Sequence, residues 1–218
     1  MFDWSKDDLS TLHEIAHEAG QSDELRHFAD YCLNEAGRHE TEAFASLRLF
    51  LHAVSNWTAA DKRAFVDWLL RVQHNHPTLE NLIHPTLHHE MLEPVMQRWR
   101  EEAPDDPCRL RWSGRIEDLE RARSLAPDDL IIQRRLIEAL LKRIRADCGH
   151  LPAEYPGHPQ EDDALLAEAI GLLNALPSRS KHDKRLLAET QDLRKKLAAL
   201  IAGGNVTIVD VEIPEEDL

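Results

Sequence analysis

From residue 7 to residue 202 apolar side chains recur three and four positions apart, and little else limits so strongly what this chain can fold into. Leu9, Leu12, Ile15, Ala16 and Ala19 make one helical stripe. Gly20 then reads as a stop and Ser22 as the N-cap of a second helix, which carries Leu25, Phe28, Ala29, Cys32, Leu33 and Ala36 and closes at Gly37. A third stripe is Ala43, Leu47, Phe50, Leu51 and Val54. Thr58 opens a fourth, with Phe65, Trp68, Leu69 and Val72. The spacing predicts a fifth helix over 86–103, with a kink or break at Pro94 because proline has no N–H to give. Further helices are expected at about 107–113, 115–125, 129–147, 161–176 and 179–202.

Short turns between such helices favour antiparallel neighbours. The expected fold class is therefore all-α: stacked antiparallel helical hairpins, as a solenoid or an irregular helical array, with one short C-terminal strand-like tail. The low glycine count, 8 in 218 residues, agrees with this. The expected organisation is hairpins over 1–75 continuous with a helical region over 76–202, one domain overall, followed by a tail over 203–218. In the connector 74–86, "HPTL" occurs twice, and each His-Pro-Thr reads as a turn into a helix, since proline fits the first helical turn. The tail "VTIVDVEIPEEDL" has β-branched, strand-like residues with no partner strand elsewhere. Pairing of residues 206–213 with the same tail of a second subunit predicts a homodimer; a flexible acidic tail is the competing expectation.

The formal net charge of −14 argues against a nucleic-acid partner and for a basic protein partner. "RLRWSGR" and "QRRLIEALLKRIR" hold most of the local positive charge, and among so many acidic neighbours they read as a solvated helix face. Cys32, Cys108 and Cys148 are widely spaced and odd in number, which points to a reducing compartment without a disulfide framework. The acidic N-terminus lacks the apolar run of a signal peptide, and no stretch is apolar enough to span a membrane. The expected location is cytoplasmic, with no membrane partner.

Two resemblances bear on function. "LERARSLAPDD" at 119–129 resembles the close of a tetratricopeptide repeat, with Ala122, Leu125 and Pro127 in the family's Ala-x-x-Leu-x-Pro spacing, and "LLAEAIGLLNALP" at 165–177 is a looser echo. The resemblance covers about residues 100–180 and implies a helical scaffold for protein–protein interaction. A non-enzymatic adaptor or inhibitor in a bacterial cytosol, acting on a basic partner, is the functional expectation, with no cofactor.

The alternative comes from "HEIAHEAGQSD" at 13–23, which is similar to the metzincin zinc motif in an Asp-ended form. That resemblance implies His13, His17 and Asp23 as zinc ligands and Glu14 as the catalytic base of a metallopeptidase. Against it, the residues before His13 cannot supply the substrate-aligning sheet, and Met91 and Met96 read as helix core, not a Met-turn. A helix stop at Gly20 and a cap at Ser22 explain the same string without metal. A second histidine cluster, His74, His76, His84, His88 and His89 with Glu90, has the density to hold a transition metal, although helix-end positions account for much of it. The Pro-rich stretch 148–160 offers His150, Tyr155 and His158 as a binding loop.

Overall fold

The computed structural model describes residues 5–79, 82–148, 158–176 and 181–202. Among these every regular element is helical and no strand occurs. The strand-like tail at 206–213 lies outside the described residues. None of the described helices is long and apolar enough to cross a membrane. The chain divides into two compact units, Met1–Pro104 and Asp105–Leu218.

In the first unit, α1 (Lys6–Ala19) starts at a reciprocal cap: the Asp8 amide donates to Ser5 Oγ at 3.2 Å, and the Asp8 carboxylate accepts from the Ser5 amide at 3.0 Å. The helix ends at Gly20, which stays right-handed at φ −67°. What favours glycine there is space: a Cβ would meet the Ala16 carbonyl oxygen at 3.0 Å, a tight contact with backbone. Ser22 caps as expected, but it opens a 3-10 turn at Asp23–Leu25 before α2 (Arg26–Ala36) begins. α2 packs against both α1 and α3 (Glu40–Ala53). Its Phe28 lies at the centre of an aromatic cluster, with Tyr31, Phe50, Phe65 and Trp68 ring centroids 5.3 to 5.8 Å away. Leu33, expected inside, is exposed on the far side of α2. α4 (Ala59–Asn75) begins at a second reciprocal cap, Thr58 with Asp61.

The two "HPTL" segments behave differently. At the first, His76 terminates α4, and Thr78 Oγ1 donates to Asp8 Oδ1 at 2.6 Å, tying the connector to the start of α1. Leu79 and Leu82 are fully buried, and the buried Tyr31 hydroxyl donates to the Leu82 carbonyl at 3.0 Å. The connector is thus part of the core. The second segment does start a helix: His84 Nδ1 accepts from the Thr86 amide, and α5 (Pro85–Leu87) leads into a π-turn, His88–Leu92, and then α6 (Glu93–Glu102).

The break expected at Pro94 is this π-turn. Proline cannot donate to the Glu90 carbonyl four residues back, so the backbone widens by one residue, and the Glu93 amide reaches the His88 carbonyl instead. Met91 remains buried beneath the turn.

The second unit contains α7 (Pro107–Leu110), α8 (Ile116–Leu125), α9 (Leu130–Cys148), α10 (Pro159–Ala175) and α11 (Lys181–Ile201). Each packs on the next, and α11 returns to α9. Ile137, Leu141, Leu166, Leu173 and Leu197 form the core of α9, α10 and α11, while α7 and α8 meet α9 through Leu110, Ala122 and Ile132 and through Leu119, Leu136 and Leu140. The basic stripe of α9 is not merely solvated. Arg134 forms a two-pronged pair with the fully buried Asp183 of α11, both bonds 2.9 Å, Arg143 pairs with Asp162 of α10, and Arg145 with Glu189 of α11. Each acid lies on a neighbouring helix, so these cations fasten α9 to α10 and α11.

Candidate functional site: an acidic aromatic cleft

His13, Glu14 and His17 all point to solvent from α1, and Asp23 is exposed in the 3-10 turn that follows. They do not come together as a ligand group. Among the described residues, the histidines and acids that converge as three ligand atoms within 4.8 Å of one another are His88, His89 and Glu93. Glu90, the acid expected beside those histidines, instead pairs with Arg48 at 2.5 Å. His74, His76 and His84 are half-buried, and the His84 ring lies 5.7 Å from that of Phe44. His158 is exposed just before α10, while His150 and Tyr155 lie outside the described residues.

The end of α1 has a different role. Glu18 and Ala19, together with Ser22, Glu24 and Leu25 of the following turn, form one wall of a cleft of about 340 Å³. Trp57, just before α4, and Asp61, Phe65 and Trp68 along it form the other. Trp57 and Trp68 are half-buried and flank Phe65, with centroid separations of 6.0 and 5.7 Å. Trp68 Nε1 donates to Glu18 Oε1 at 2.8 Å, which fixes both the ring and the carboxylate. Asp61 is held by Thr58, whose hydroxyl donates to Asp61 Oδ2 at 2.6 Å, so its carboxylate is also oriented before any ligand arrives. The cleft is therefore lined by three acidic residues, Glu18, Glu24 and Asp61, together with Trp57, Phe65 and Trp68, and no cation is among its lining residues.

Such a surface favours a positive charge. Carboxylates attract it through space, and the faces of indole rings attract it through their quadrupole. A second cleft of about 440 Å³ in the same unit shares Trp57 but is rimmed by Lys62, Arg63 and Arg98. Its cations are engaged: Lys62 Nζ donates to the Ser55 carbonyl, and Arg63 and Arg98 both hold Glu102, whose carboxyl lies below its ordinary range beside these guanidiniums. In the second unit a trough of about 840 Å³ mixes Arg115, Arg135, Lys142 and Arg143 with Glu117 and Glu138. There Arg135 stacks over Trp112 and Arg143 holds Asp162, so neither presents an uncommitted charge.

The acidic cleft has no sequence motif because its residues come from α1, the next turn, the end of the 3-10 turn before α4 and α4 itself, and Glu18 and Trp68 are 50 positions apart. Its trace in sequence is one tryptophan at a helix junction, Trp57, and one on a helical stripe, Trp68, both of which read as core. No protein-family model, no curated protein and no solved structure matches the chain.

Proposed function

We propose that this chain is a non-enzymatic protein-interaction module that takes a lysine or arginine side chain of a basic partner into the acidic aromatic cleft. The observation that carries the reading is the convergence of Glu18, Glu24 and Asp61 on Trp57 and Trp68, with no competing cation among the lining residues. Charge complementarity identifies the partner's chemistry, and the overall net charge of −14 would steer a basic partner towards the surface at long range. The paired helices α8/α9 and α10/α11 support a tetratricopeptide-like reading of the second unit, in which Ala122 is fully buried at the position where that repeat packs a small residue. A cytoplasmic adaptor or inhibitor fits this reading.

A short lysine- and arginine-rich peptide and its glutamate counterpart, titrated against tryptophan fluorescence, test it. The basic peptide is expected to shift the emission, and added salt to weaken its binding. Glu18→Gln combined with Glu24→Gln should weaken it about tenfold. Equal binding of the acidic peptide, or an unchanged affinity in the double variant, would sink the reading.

A further inference from the structure

His88 and His89 are sequence neighbours, and on an ordinary α-helix adjacent side chains diverge around the axis. Glu93, four residues after His89, would then share a face with His89 alone. The π-turn changes this. Its hydrogen bonds close over five residues instead of four, and the wider turn brings Glu93 back between the two histidines. His89 Nδ1 lies 3.3 Å from Glu93 Oε2, and the His88 and His89 rings meet edge to face at 5.2 Å. One atom from each of the three side chains falls within 4.8 Å of the others.

We propose that the π-turn His88–Leu92, with Glu93, forms a transition-metal site in which His88, His89 and Glu93 ligate a divalent ion such as Zn²⁺. Two imidazoles and one carboxylate suit Zn²⁺ and its late first-row neighbours, whereas Ca²⁺ and Mg²⁺ need more oxygen ligands than the turn offers. Closing the ligand atoms onto one ion takes small rotations about side-chain torsions. All three residues are exposed, so the core does not hold their side chains against such rotations.

The backbone that creates the site is itself held. Met91 is buried under the turn, Glu90 is paired with Arg48, and Pro94 prevents the segment from reverting to a regular helix. Three protein ligands leave a coordination position for water or for a side chain from a partner. This site is independent of the acidic cleft, and neither proposal depends on the other.

Calorimetric titration of the full-length chain, free of any histidine tag, with Zn²⁺ provides the test. One equivalent is expected to bind tightly. His88→Ala, His89→Ala and Glu93→Gln should each weaken that event by roughly tenfold or more. Because these side chains are exposed, circular dichroism should show unchanged helicity. His13→Ala with His17→Ala should leave the titration as it was. Zn²⁺ binding unaffected by all three variants, or abolished by the His13/His17 pair, would overturn the site. So would an equal response to Ca²⁺.

Discussion

Asp8 caps its own helix and also anchors a loop seventy residues away. Its carboxylate accepts from Ser5 at the start of α1, while Thr78 Oγ1 donates to its other oxygen at 2.6 Å. These bonds, Thr78's first, hold the Asp8 carboxyl below its ordinary value against the opposing effect of burial. Because the folded value is depressed, the stabilisation is present above the ordinary aspartate range and is lost as pH falls through the folded value. Thr78→Val should therefore cost about 1–2 kcal/mol at neutral pH, and the cost should shrink in acid. Denaturant unfolding of both proteins at the two pH values measures this. A difference that stayed constant or grew on acidification would show that Asp8 is not the group involved. Neither Asp8 nor Thr78 stands out in sequence, since a three-residue cap is local and its distant partner is decided by the fold.

At the scale of elements, the starts at Ser22 and Thr58 and the stop at Gly37 were legible because they are local chemistry, and the same chemistry marks other boundaries. Ser5, Ser22, Thr58, Asp106 and Asp129 each accept an amide two or three residues ahead. Three helices end at the residue before a proline: His76, Ala103 and Ala126 have φ of −129, −142 and −139° and ψ of 71, 71 and 74°, away from the helical region that a following proline disfavours. The sequence Pro-Asp-Asp, which occurs at 104–106 and again at 127–129, is thus a stop followed by a cap, and its repetition reflects helix boundaries as well as any ancestral repeat. The burial of the connector was not legible. Leu79 and Leu82 are only two apolar positions in a short stretch beside a proline, too few to mark a buried face, and the Tyr31 hydroxyl meeting the Leu82 carbonyl shows why the segment turns inward. The cap at Thr58 offers a test, because it both starts α4 and orients Asp61 in the acidic cleft. Thr58→Ala should lower stability by about 1 kcal/mol, while Thr58→Ser should restore most of it. Thermal or urea unfolding compares the three. If Thr58→Ala matched wild type, the cap would have no energetic role.

The chain divides into two sets of helices, Met1–Pro104 and Asp105–Leu218. The periodicity running from end to end of the sequence conceals this division, because stripe spacing is the same on either side of Pro104 and the partner of each stripe is set in three dimensions. The candidate cleft was hidden for the same reason: Glu18, Asp61 and Trp68 each satisfy a local helical pattern before they meet. The first unit's apolar cluster, from Leu12 to Met91, draws wholly on residues before Pro104, so a fragment of residues 1–104 should fold alone. Cys32 is the single cysteine of that fragment, and it is fully buried, with burial pushing its thiol above the ordinary range. The thiol reacts only as thiolate and only when exposed. Its labelling should therefore be slowed on the order of a thousandfold relative to the urea-unfolded fragment and report opening of the core. Because the folded value is raised, this contribution to stability is complete below the ordinary thiol range and declines as pH rises above it. Labelling at the unfolded rate in buffer would mean that residues 1–104 need the remainder of the chain to hold their core.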